Sequence, residues 1–128
     1  MKPLYVLRGA VEHGEHIGRT LGFPTVNLAL NGKRPPQGVY AAKARTSSGD
    51  YLAVTNIGTR PTVSNATEMR AESYILDFCG DLYGQEIEIA LYLFLRAEKK
   101  FESTDALKRE IIKNEAQTRE FFRKQRDA

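Results

Sequence analysis

The chain has 128 residues, enough for one domain with a real core and one site, and too few for two ordinary catalytic domains. Its 19 basic residues are interleaved with 16 acidic ones for a net charge of +3, so no basic stripe points to nucleic acid. No apolar run of about 18 residues could span a bilayer, the N-terminus lacks a signal-peptide layout, and a lone Cys79 excludes an internal disulfide or thiolate cluster, so a soluble, cytoplasmic protein with no membrane partner is expected.

Leu4 to Val11 is rich in β-formers and predicts a first strand leading into a glycine-rich stretch, Gly14 to Leu28. Gly14, Gly18 and Gly22 permit a loop that bends closely over a ligand and presents N–H donors, with phosphate the obvious guest. Gly18-Arg19-Thr20 invites comparison with a P-loop, but that motif must open a helix, and Pro24 forbids a helix interior here while pushing Phe23 to extended geometry. His13 and His16 have no third ligand of the right kind for zinc nearby. Thr25 and Asn27, in an i, i+2 relation on an extended segment, point to the same side, where a hydroxyl and an amide oxygen suit Mg²⁺. A glycine loop beside a magnesium corner suggests a nucleotide.

After the turn-rich Asn31–Gly38, a hairpin is predicted from Val39–Thr46 and Tyr51–Ile57, with Gly58-Thr59-Arg60-Pro61-Thr62 breaking the second strand. Arg60 is a candidate phosphate contact, although a solvated arginine is the plainer reading. The next strand, Arg70 to Phe78, puts Glu72, Tyr74, Leu76 and Phe78 on one face. Glu72 among apolar neighbours is either a carboxylate at a pocket rim, partly desolvated and suited to general-base work, or a strand-end residue reaching water. The turn Cys79–Gly84 leads into a long strand, Glu86 to Arg96, with Ile87, Ile89, Leu91, Leu93 and Leu95 on one face. Ser103 can cap a helix reaching about Arg123, with Leu107, Ile111, Thr118 and Phe122 in one stripe and Ile112 and Phe121 widening it. Short strands broken by Gly and Pro turns, then one helix, predict a mainly β fold, an antiparallel barrel with a C-terminal α-helix.

Several motifs in one order carry a resemblance over nearly the whole chain: Gly18-Arg19-Thr20-Leu21-Gly22-Phe23-Pro24-Thr25-Val26-Asn27-Leu28, Gly38-Val39-Tyr40, Asn56–Thr62, Glu72–Phe78, Asp81-Leu82-Tyr83-Gly84 and Leu95–Phe101. Together they resemble riboflavin kinases. The resemblance implies a six-stranded Greek-key barrel over residues 1–128 and transfer of the ATP γ-phosphate to riboflavin, giving FMN and ADP, with Mg²⁺. It implies Glu72 as the catalytic base and Gly14, Gly18, Arg19, Thr20, Gly22, Thr25, Asn27, Leu82 and Tyr83 as nucleotide-binding. Thr25 and Asn27 would hold the metal, and Arg96, Glu98 and Phe101 would lie beside the flavin. Two positions depart from the family pattern: Val26 stands for alanine and Asn114 for aspartate.

In bacteria such a kinase module is, by the same resemblance, usually the C-terminal half of a bifunctional FAD-synthesising enzyme, so an adenylyltransferase domain in a longer parent chain is a possible partner. His16-Ile17-Gly18-Arg19 nearly spells the adenylyl-transfer signature but lacks its second histidine. Two rivals stand beside the kinase. A non-catalytic flavin-binding barrel would need neither the Thr25/Asn27 corner nor a carboxylate at the hydroxyl. An oligonucleotide-binding barrel should interleave aromatics with a basic groove, whereas Tyr74, Phe78, Tyr92 and Phe94 sit in apolar strands.

Overall fold

The structure, a computed structural model, describes residues 1–12, 25–30, 34–61 and 67–127. Six strands, β1 (Tyr5–Ala10), β2 (Thr25–Ala29), β3 (Gly38–Thr46), β4 (Gly49–Pro61), β5 (Thr67–Ile75) and β6 (Glu86–Arg96), precede one helix, α1 (Thr104–Asp127). All strand pairs are antiparallel, in the order β1-β6-β3-β4-β5-β2. Strands β3, β4 and β5 follow one another as neighbours and β6 returns beside β3, which is the Greek-key arrangement. The sheet curls so that its two edge strands approach, and a bridge joins Glu12 to Asn27, with the Glu12 N–H donating to the Asn27 carbonyl at 2.8 Å.

Large apolar side chains fill the barrel interior alongside alanines: Leu7, Leu28, Tyr40, Ile57, Ile75, Ile89 and Leu91 pack with Ala42, Ala44, Ala53 and Ala71. Burying each large side chain contributes about 1.5–3 kcal/mol. A second cluster lies outside the sheet, where Val39, Val54 and Tyr74 meet Ile111 of α1, with Leu95 and Leu107 against it. Ser103 caps the helix, its Oγ accepting from the Ala106 N–H at 3.1 Å. Further along, Thr118 and Phe122 are buried, Phe122 edge-on to Tyr92 with ring centres 5.3 Å apart. Arg119 reaches back to Asp77 in the turn after β5, at 2.7 Å. No described helix is long and apolar enough to cross a membrane.

Three strands and the helix depart from expectation. β4 does not break at Gly58 but runs to Pro61, paired with β5 as far as Thr67. Proline is tolerated there because it ends the strand. β5 ends at Ile75, and Asp77, at φ 60°, turns the chain so that Phe78 packs on the barrel core beside Tyr51 rather than on the face of Glu72. Bulges interrupt β6: Leu91 pairs with Ala42 but Leu93 with the adjacent Ala41, so the two leucines lie on opposite faces. A second shift pairs Arg96 with Val39, on the helix side. Ile112 does not widen the helix stripe; it is exposed, and buried Asn114 occupies the stripe's centre instead.

Candidate active site

In β5, Ala71 and Ile75 face the barrel core, so the period of two turns Arg70, Glu72 and Tyr74 to the other face. Register then assembles the site. Glu72 stands opposite Asn27 on β2 and Asn56 on β4, making one row across three strands. Thr25 and Val54 flank Tyr74 in the next row. On β2, Val26 and Leu28 enter the core, leaving Thr25 and Asn27 together on the Glu72 side.

Two cavities meet at this row. One, of about 190 Å³, is walled by Val39, Val54, Tyr74, Phe101, Leu107 and Ile111, with Asn56, Glu72, Arg96, Glu98, Lys99 and Asn114 at its polar points. The other, of about 290 Å³, is polar and lined by Asn27, Asn56, Gly58, Thr59, Arg70, Glu72 and Glu98. Glu72, Asn56 and Glu98 line both.

The side chains around Glu72 are held by hydrogen bonds and ion pairs. The Tyr74 phenol donates to Glu72 Oε1 at 3.0 Å, and burial, followed by the adjacent Glu72 charge, pushes its ionisation well above the usual tyrosine range. Asn56 donates to Glu98 Oε2 at 3.2 Å. Gly58 makes room for that carboxylate, because a Cβ there would stand 2.7 Å from Glu98 Oε2. Arg96 donates through Nε to Asn114 Oδ1 at 3.1 Å and has Glu110 at 3.6 Å. Lys99 binds Glu110 at 2.6 Å, and that hydrogen bond holds the Glu110 carboxyl below its ordinary range. Both cations stand over Phe101, at 5.5 Å for Arg96 and 5.3 Å for Lys99. Arg70, buried, pairs with Glu12 and Glu68, each at 3.4 Å, while its Nη2 makes no hydrogen bond among the described residues.

Of the residues expected from sequence, Glu72, Thr25, Asn27, Arg96, Glu98 and Phe101 converge on these two rows and cavities. Leu82 instead packs in the barrel core, and exposed Tyr83 lines a separate opening with Ala10, Val11, Glu12 and Gly84. Gly14, Gly18, Arg19, Thr20 and Gly22 lie outside the described residues, as does the Arg60 side chain. Sequence reasoning missed Asn56, Arg70, Lys99 and Asn114 as site-lining residues. Tyr74 and Arg70 carried a signal, since the period of two already placed both on the Glu72 face; Asn56 had none of that kind before the β4–β5 register was known.

A family model, Flavokinase: Riboflavin kinase, matches residues 1–122. The chain belongs to the riboflavin kinase family. A bifunctional riboflavin kinase/FMN adenylyltransferase from Listeria monocytogenes is 41% identical over 125 residues, covering 96% of this chain and 40% of that protein. Riboflavin kinase from Trypanosoma brucei superposes with a TM-score of 0.69 at 25% identity, covering 97% of this chain and 82% of that one. A Streptococcus pneumoniae structure described as a macrolide-efflux protein gives a TM-score of 0.81 at 35% identity, covering 91% of this chain and 38% of that one. The chain thus spans less than half the length of the curated relatives it matches.

The two departures from the riboflavin kinase pattern have different surroundings. Val26 faces the barrel core, away from the Asn27 corner, so its extra bulk bears on packing. Asn114 keeps a hydrogen bond to Arg96 without a charge, and Glu110, one turn earlier on α1, brings a carboxylate to the same guanidinium.

Proposed function

We propose that this chain transfers the γ-phosphoryl group of MgATP to the 5′-hydroxyl of riboflavin, giving FMN and ADP. One observation supports this reading above the rest: the Glu72 carboxylate, in register with Asn27, lines both an aromatic-walled cavity suited to a flavin ring and a polar cavity suited to phosphates. In this reading the isoalloxazine ring lies against Phe101 and Tyr74, with Arg96 and Glu98 at its polar edge. The ribityl chain then leads to Glu72. The carboxylate accepts the hydroxyl proton as the new O–P bond forms, the bond between the γ-phosphorus and its bridging oxygen breaks, and ADP leaves with the electron pair. Catalysis of this kind is mostly positioning and charge stabilisation.

Asn27 and Thr25 offer neutral oxygen donors beside the Glu72 carboxylate, and such hard oxygens fit Mg²⁺. A magnesium ion takes most of its ligands from phosphate and water, so two protein oxygens would suffice to place it. When bound, the ion would neutralise charge on the phosphate oxygens. Gly14, Gly18, Arg19, Thr20 and Gly22 would cradle the phosphates. The adenine would lie at Tyr83, whose opening adjoins Glu12 and, through its ion pair, Arg70 of the polar cavity.

The test is to incubate the chain with riboflavin and MgATP and separate the products by chromatography. FMN and ADP should appear in equal amounts and be abolished by EDTA. Tight riboflavin binding with no FMN would make the chain a binding module and overturn the proposal.

A further inference from the structure

We infer that Tyr74 is a positioning residue for the transfer: its phenol O–H fixes the orientation in which the Glu72 carboxylate meets the ribityl hydroxyl. The inference rests on the kinase reading above and deepens it. A glutamate side chain has a broad, roughly two-fold terminal torsion, so a base on a strand face needs a partner to choose its plane. Proton transfer is efficient only when the acceptor sits within hydrogen-bond reach of the proton it takes. Misplacement by about 1 Å can cost on the order of a hundredfold in rate.

Tyr74 meets that need in three ways. Its strand position, two residues beyond Glu72, puts both on one face, and its Oη donates to Glu72 Oε1 at 3.0 Å. Its ring is confined by packing: Tyr74 is 7% exposed and lies with Val39 and Val54 against Ile111 of α1. The hydroxyl is also more than the packing requires. A phenylalanine would fill the same apolar seam, and burying a hydroxyl is unfavourable unless it is hydrogen-bonded. Here it is bonded to Glu72, whose carboxylate lines both cavities. Tyr74 keeps its own proton throughout, and the helix seam supports the base through the tyrosine ring.

The experiment compares wild type, Tyr74→Phe, Glu72→Gln and the double variant by steady-state FMN production and by riboflavin fluorescence titration, with circular dichroism melts to verify folding. Tyr74→Phe should lower kcat about tenfold to a hundredfold while riboflavin Kd stays within about twofold, because the ring that touches the flavin is retained. In the Glu72→Gln background the same change should cost nothing further, since there is no base left to orient. Unchanged kcat in Tyr74→Phe, or an equal loss in both backgrounds, would overturn the positioning role while leaving the kinase reading intact. Full turnover in Glu72→Gln alone would remove the base, and the inference with it.

Discussion

Thr55 on β4 and Ser73 on β5 are both buried and share a hydrogen bond of 2.7 Å between their hydroxyls, directly across the register that also aligns Asn56 with Glu72. Thr55→Val keeps the shape of the side chain but strands the Ser73 hydroxyl inside the barrel, and Ser73→Ala strands that of Thr55. Leaving a buried hydroxyl unpaired costs about 1–3 kcal/mol, so each single variant should lose about 2 kcal/mol of stability. Removing both partners leaves no orphan, so the double variant should sit within about 1 kcal/mol of wild type. The cycle therefore closes with a coupling of about 3–4 kcal/mol favouring the double variant over the sum of singles. Urea titrations at neutral pH measure this directly, and melting temperatures should move by about 4 °C per kcal/mol for a chain of this size. Additive losses, with the double variant the least stable of the four, would refute the claim that the two hydroxyls satisfy each other alone.

Three further outcomes follow from the geometry. Asn27→Ala should lower turnover at least tenfold and weaken MgADP binding with little change in melting temperature, because Asn27 lines the polar cavity rather than the core; unaltered nucleotide affinity by calorimetry would remove it from the site. Gly38→Ala should destabilise by about 2–4 kcal/mol in urea titration, since φ is +150° and the added Cβ would stand 2.7 Å from the Arg96 carbonyl and press on the Phe94 ring; a stable variant would show that the start of β3 can shift. The Glu110 carboxyl is held below its ordinary 4.5, chiefly by Lys99, so its stabilising contribution is fully present above the unfolded value and is lost as pH falls through the lower folded value. Wild type should accordingly lose stability faster than Glu110→Gln as pH drops below 4.5, and parallel curves for the two would show that the ion pair contributes nothing.

The sequence by itself determined the element types, the barrel class, the motif order of the family and the facing of Thr25 with Asn27 and of Glu72 with Tyr74. The reason is local: side-chain alternation along a strand depends only on backbone geometry, and Ser103 could be read as a cap because capping involves a few adjacent residues. Tertiary structure decided everything that depends on which strands are neighbours. Pairing β5 with both β2 and β4 brought Asn27 and Asn56 to either side of Glu72, residues 45 and 16 positions earlier in the chain, and no periodicity encodes that register. The same holds for the β6 bulges, which break the alternation that Leu93 and Leu95 suggested and turn Arg96 toward Asn114, because a bulge is set by the partner strand's pairing rather than by the bulged residues' own polarity. Helix burial followed likewise: polar Asn114 is buried and apolar Ile112 exposed, because the helix docks where Arg96 offers a hydrogen bond that only the assembled sheet can present.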